Sequence, residues 1–218
     1  MAGIKFGRVL FAGAHLDDIE FGCGGVVAEL APRGEVYFLT LSKHTRSAAG
    51  EIQIVRDLEE PLRAASILGV AKGQVEIEGL DGQLFQRQAQ EVREVFLRWR
   101  REYNPDTIFV PARADIHQDH HVVYEEALRI FRDRTIVGFE IVRSTFSFSP
   151  NLFVEIPEEA LEKKIRAVMC YQSQLTQSAG YYFKPEIIRG QACFRGGQSN
   201  RGFAEAFEIY HMNLGVND

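Results

Sequence analysis

Arg8-Val9-Leu10-Phe11-Ala12-Gly13-Ala14-His15-Leu16-Asp17-Asp18-Ile19-Glu20 is the stretch that decides how this chain is built. Its first half is a short apolar run, the pattern of a strand buried on both faces. Its second half sets one imidazole and three carboxylates at the exit of that strand. In an open α/β sheet such positions face the crevice beyond the carboxyl ends of the strands, where these folds do their chemistry. Far along the chain, His117-Gln118-Asp119-His120-His121 follows a second apolar run, Thr107-Ile108-Phe109-Val110. Two groups of metal-type ligands at two strand exits predict one shared site.

Working outward, apolar runs alternate with helical periodicity. Arg8 to Ala14 is expected as a strand, and Ile19 to Leu30 as a helix stopped near Gly34. Glu35 to Leu41 is a second strand, followed by a polar loop from Ser42 to Gly50. Apolar residues at Ile52, Val55, Leu58, Leu62, Ala65 and Leu68 predict a helix closed by Gly69 and kinked at Pro61. Strands are expected at Gln74 to Glu78, Thr107 to Pro111 and Thr135 to Val142, with helices at Gln86 to Glu102 and Val122 to Phe131. Beyond residue 145 come an edge strand at Asn151 to Ile156, a helix at Pro157 to Gln174, and a Gly- and aromatic-rich stretch closing with Ala206 to His211. The alternation predicts an α/β fold: a Rossmann-like three-layer sandwich with a mainly parallel sheet, formed as a single domain over 1–218.

Composition narrows the function classes. With 45% apolar residues among 218, the chain can bury a full core. Its net charge is −5 and it has no long basic block, so nucleic acid is not an expected partner. No apolar run approaches membrane-spanning length, and the N-terminus enters the first strand without a signal peptide. Three widely spaced cysteines, Cys23, Cys170 and Cys193, suit a reducing interior, which makes a cytoplasmic protein the expectation.

His15 and Asp18 can reach one ion from a single turn, and an imidazole from 117, 120 or 121 would complete a three-ligand site. Catalytic zinc keeps a fourth position open for water, whereas structural zinc fills all four, usually with thiolates. No cysteine pair exists for the latter. Asp17, left over, would stand beside that water and could take its proton. Each motif alone has a plain alternative, since Asp-Asp after a strand is also a common helix N-cap. Together, on one sheet edge, the two favour a shared site. Iron, nickel and cobalt accept the same donors as zinc.

Ala14-His15-Leu16-Asp17-Asp18-Ile19-Glu20 resembles the AHPDDxE motif of the PIG-L/LmbE-like deacetylases, and His117-Gln118-Asp119-His120 resembles that family's HxDH motif. Weaker echoes are Arg56-x-x-Glu59, Gly79-Leu80-Asp81-Gly82, Ser173-Gln174 and Ala204-Glu205-Ala206-Phe207. The resemblance implies His15, Asp18 and His120 as zinc ligands and Asp17 as general base. His117 would be a cationic group steadying the oxyanion, and Asp119 a carboxylate orienting a histidine. The implied reaction removes an N-acyl group, typically acetyl, from a glucosamine-like sugar. Leu16 departs from the family pattern by replacing the usual Pro, and the loop Ser42-Lys43-His44-Thr45-Arg46 is basic where many sugar deacetylases carry Gly-Glu.

Secondary candidates have duller readings beside the functional ones. Arg56 could bind a substrate oxygen or form a surface ion pair, and Asp81 could contact a sugar hydroxyl or simply form a turn. Gly22 to Gly25 could cradle a phosphate or allow close helix packing, and Tyr181-Tyr182-Phe183 could be a lid, a homo-oligomer contact or core. The expected partner is therefore a small N-acylated molecule. The rival readings are an amidase for non-sugar amides using the same metal site, and a nucleotide- or phosphate-binding module.

Overall fold

A computed structural model describes residues 6–46, 52–54, 58–173 and 181–213. Seven strands form the main sheet: β1 (Val9–Gly13), β2 (Val36–Thr40), β5 (Val75–Ile77), β6 (Thr107–Pro111), β7 (Thr135–Phe139), β8 (Leu152–Glu155) and β9 (Ala204–His211), in the order β5-β2-β1-β6-β7-β9-β8. The run β5 to β7 is parallel, while β9 lies antiparallel between β7 and β8. A separate two-stranded antiparallel ribbon joins β3 (His44–Arg46) to β4 (Ile52–Ile54).

β1 and β6 are buried throughout, as expected for parallel strands covered on both faces. Alternate residues feed two cores. Phe11, Phe38 and Phe109 pack against α1 (Asp18–Leu30), α2 (Glu59–Ile67), α5 (Glu158–Val168) and α6 (Pro185–Gln198). Leu10, Leu39 and Ile108 pack against α3 (Ala89–Glu102) and α4 (Gln118–Ile130), around Phe96 and Trp99. The result is the three-layer α/β architecture that the sequence rhythm predicts.

Three expectations need correction. The Ser42 to Gly50 segment is not all loop, since it contains β3. The helix expected from Ile52 begins only at Glu59, because Ile52–Ile54 is strand β4. Pro61 then falls in the first turn of α2, where its missing N–H would have had no intrahelical partner, so no kink is needed. Helix α6, inside the Gly- and aromatic-rich stretch, was not expected. It opens with Pro185 at its first turn and tolerates Gly196, which lies so close to the Gly202 carbonyl that a Cβ would sit 2.4 Å from it.

The sheet order places the site. From β1 the chain moves outward through β2 and β5, then returns to β6 on the other flank of β1. β1 and β6 pair in parallel, Phe11 opposite Phe109, so their carboxyl ends open side by side at the point where strand order reverses.

Candidate metal centre

The β1 exit is a tight turn closed by its own carboxylate. Asp18 Oδ2 accepts hydrogen bonds from the backbone N–H groups of Ala14 (2.8 Å) and His15 (2.9 Å), which fixes the turn before α1 begins. Asp17 is the N-cap residue of α1, yet its side chain makes no capping bond. The carboxylate is thus left for the crevice instead of being spent on the helix.

The β6 exit is organised by Asp115, which is fully buried. Its Oδ1 accepts from His117 N–H (2.8 Å), and its Oδ2 contacts Ser144 Oγ (2.8 Å), Thr145 Oγ1 (3.2 Å) and His120 Nδ1 (2.8 Å). α4 starts at Gln118, earlier than the expected Val122, so the second motif occupies its first turn. His117 caps that helix, with Nδ1 accepting from Asp119 N–H at 3.2 Å.

These exits bring three atoms together. His15 Nδ1 and His120 Nε2 are 3.2 Å apart, His120 Nε2 and Asp18 Oδ2 3.2 Å, and His15 Nδ1 and Asp18 Oδ2 3.5 Å. Ligand bonds of about 2.0–2.1 Å in a tetrahedron put neighbouring ligand atoms about 3.3 Å apart. The triangle has the size of one face of such a coordination shell. The outer nitrogens are both held by carboxylates: His15 Nε2 by Asp119 Oδ2 at 3.1 Å and His120 Nδ1 by Asp115 Oδ2. This is the outer support that fixes tautomer and ring orientation in histidine metal sites. The imidazoles of His15, His117 and His120 also form a group with ligand atoms within 4.8 Å of one another. The set with Asp18 in place of His117 is tighter, and His117 Nδ1 is already occupied at its helix cap.

Electrostatics agree. Burial opposes charge on His15 and His120, but Asp18 together with Asp119 or Asp115 outweighs it, raising the pKa values to about 10 and about 9. The pocket stabilises positive charge, which a divalent cation can supply while displacing those protons. Burial, and then the neighbouring His15 and His120, push His117 down to about 4. With Nδ1 accepting at the helix cap, its Nε2 is the nitrogen left to carry hydrogen. Burial and the adjacent Asp18 raise Asp17 to about 6, the range suited to a general base.

Asp119 also anchors the segment after β5, accepting from Phe85 N–H at 3.3 Å and more closely from Gln83 N–H. Gln83 adopts a positive φ of 68° in the process. Asp81, on this same segment, is tied to α3: its N–H donates to Gln88 Oε1 (2.9 Å) and its Oδ2 lies 3.4 Å from Gln88 Nε2. Arg56 lies outside the described residues. Below the turn, Tyr171 Oη hydrogen-bonds closely to Leu16 O and lies 2.9 Å from Glu20 Oε1. The hydroxyl has one hydrogen. With it on Leu16 O, the second contact is served by a neutral Glu20 carboxyl, the form that burial favours by raising its pKa to about 8.

Of the two readings of Gly22 to Gly25, close packing is the one the structure bears out. A Cβ on Gly22 would meet Phe139 at 2.2 Å, and one on Gly25 would meet Ile156 at 2.6 Å. The N–H groups of Gly25 and Val26 already donate to Glu205 at 2.9 and 2.7 Å. Lys164 completes that buried pair at 2.6 Å. Burial holds the Cys23 thiol well above its usual pKa, so it offers no thiolate. Two contributors were missed: Asp115, signalled only by its place two residues before His117, and Tyr171, for which no local motif exists.

Comparison with known proteins gives the family and the fold. Over 170 residues, 76% of this chain, the sequence is 28% identical to an Escherichia coli (strain K12) protein described as the uncharacterized deacetylase YaiS, of which 90% is covered. The fold is similar to that of the conserved protein TT1542 from Thermus thermophilus, with TM-score 0.75 and 24% identity over 96% of this chain and 97% of that one. It is also similar to N,N'-diacetylchitobiose deacetylase from Pyrococcus horikoshii, with TM-score 0.73 and 19% identity over 96% and 87%. Residues 10–131, which carry both ligand motifs, match the PIG-L family, GlcNAc-PI de-N-acetylase, and the chain belongs to that family.

Proposed function

We propose that the protein is a zinc-dependent hydrolase removing an N-acyl group, acetyl in the first instance, from a glucosamine-like sugar or sugar conjugate. The observation carrying this is the triangle of His15 Nδ1, Asp18 Oδ2 and His120 Nε2 beside the uncapped carboxylate of Asp17. Two imidazoles and one carboxylate are a donor set used by catalytic zinc, and other divalent transition metals accept it too.

When bound, the cation polarises the amide carbonyl and makes water acidic enough to attack near neutral pH. Asp17 accepts the proton of the attacking water, and its raised pKa lets it pass that proton to the departing amine nitrogen. His117 directs Nε2–H at the developing oxyanion, its Nδ1 being engaged by the helix cap. Asp119 and Asp115 keep His15 and His120 in the tautomers that turn lone pairs inward. Arg56 and Asp81 are the proposed contacts to substrate oxygens. The diacetylchitobiose deacetylase of the same fold supports a sugar over a simple amide. No helix among the described residues is long and apolar enough to cross a membrane, and three free cysteines suit a cytoplasmic enzyme.

The test is acetate release from N-acetylglucosamine derivatives and from simple amides, before and after chelation and with zinc restored, alongside elemental analysis. Release only from the sugars, lost on chelation and regained with zinc, is expected. Turnover of simple amides alone would move the substrate outside the sugars. Activity indifferent to chelation would overturn the metal assignment.

A further inference from the structure

The ligand turn has a second support that the reaction itself does not use. His15 lies in the four-residue turn between β1 and α1 and Asp18 opens α1, and the residue between His15 and the base is Leu16, whose φ no ring fixes. The Leu16 carbonyl belongs to the peptide leading into Asp17. Rotation of that peptide would swing Asp17, and Asp18 with it, relative to His15. That carbonyl is held by the Tyr171 hydroxyl, contributed from three residues beyond the end of α5 and 155 positions away in sequence. Tyr171 is 1% exposed, and its second neighbour, Glu20 Oε1 at 2.9 Å, lies one turn into α1. One side chain thus ties the turn, the first turn of α1 and the end of α5 together at the residue where this chain departs from the family's Pro.

We propose that Tyr171 is a positioning residue for the cation site, its hydroxyl holding the Leu16 peptide so that His15 and Asp18 are presented to one ion. This rests on the metal reading given above. The hydrogen bonds of the Tyr171 hydroxyl go to Leu16 O and Glu20, not to a ligand atom. Tyr171 acts through the backbone, as a hydrogen-bonded replacement for a fixed φ. Outer supports of metal ligands typically contribute 10- to 100-fold in affinity, and a support acting on the backbone between two ligands belongs in that range.

The experiment is a chelator-competition titration of zinc against the wild-type protein, Tyr171→Phe and Val168→Ala, with thermal unfolding of each metal-free protein. Val168 is fully buried in α5 and its side chain has no polar group to offer the turn's carbonyl, so it reports loss of packing alone. Tyr171→Phe should weaken zinc binding 10- to 100-fold, while Val168→Ala lowers Tm and leaves the zinc Kd within about threefold. Equal Kd values for Tyr171→Phe and wild type, or equal losses in both variants, would overturn the proposal. Failure of the wild-type protein to bind zinc would instead overturn the metal reading itself. A measurement independent of any variant follows from reciprocity: zinc added to the wild-type protein should slow amide exchange at Met169–Tyr171, and unchanged exchange there speaks against the coupling.

Discussion

Asp115→Asn tests whether the β6 exit is built to present a lone pair. Both oxygens of Asp115 act as acceptors, Oδ1 for His117 N–H and Oδ2 for the hydroxyls of Ser144 and Thr145, and Oδ2 also lies 2.8 Å from His120 Nδ1. An amide has one oxygen. If its NH2 takes the Oδ1 place it opposes His117 N–H, and a buried donor left facing a donor costs about 1–3 kcal/mol. If the NH2 takes the Oδ2 place, the two hydroxyls can turn to accept from it, but His120 Nδ1 cannot while it carries hydrogen. His120 then moves its proton to Nε2, the atom 3.2 Å from Asp18 Oδ2, and that nitrogen loses its lone pair to the cation. The second placement avoids the clash with His117 N–H, and in it zinc affinity should fall by about 10- to 100-fold, or about 1.4–2.8 kcal/mol. The assay is competition against a fluorescent chelator near neutral pH, with Tm of the metal-free protein measured in parallel. A variant that binds zinc within threefold of wild type would show that Asp115 does not set the tautomer of His120, and the outer-support argument would fall with it.

Other perturbations separate the remaining roles. Asp17→Asn should abolish turnover with zinc content nearly unchanged, and activity within a few-fold of wild type would remove Asp17 as the base. Since Asp17 works as a carboxylate and burial beside Asp18 sets it at about 6, kcat/KM should fall as pH drops through that value or, with a cation nearby lowering it, below; an acid limb above neutrality counts against the assignment. His120→Ala should lose most bound zinc while His121→Ala, on the exposed side of α4, keeps it; the reverse result moves the ligand by one residue. Gly22→Ala would gain up to about 1 kcal/mol of helix propensity in isolation. The Cβ placed 2.2 Å from the Phe139 ring costs more, about 1–3 kcal/mol of overpacking, so Tm should drop, and a raised Tm would contradict the packing reading of the glycine run.

The parallel strands were legible because each is buried on both faces and so appears as an unbroken apolar run: β1 and β6 emerge within a residue or so of their bounds. The ribbon β3–β4 and helix α6 were not. Ile52 happens to fall in phase with the apolar face of α2, so strand and helix share one pattern, and periodicity alone cannot divide them. In α6, glycines at 190, 196 and 197 mask helix propensity, and the helix is held instead by packing and by the buried bidentate pair of Arg195 with Glu140, at 2.7 and 2.6 Å. The start of α4 was missed for the opposite reason. Its first buried turn presents Asp119 and His120 inward, so the apolar signal begins a turn late.

The site follows the same logic. His15, Asp17 and Asp18 were readable because one turn holds them, and His117, Asp119 and His120 because a second turn does. What sequence could not supply is the set of contacts between distant segments: Asp119 to His15 across 104 positions, and Tyr171 to Leu16 across 155. The first decides which nitrogen of His15 faces inward and the second holds the backbone between His15 and Asp17, so both bear on whether six suitable side chains make a cation site or only a polar crevice. The carboxylates that orient the histidines also raise their pKa values. At neutral pH the metal-free site therefore holds protons that an entering cation must displace. Zinc affinity should accordingly rise with pH as His15 and His120 give up those protons, and binding should release protons into a weakly buffered solution. A pH-independent zinc Kd between 6 and 9 would show that the imidazoles are already neutral, and that the carboxylates around them do not act as the geometry requires.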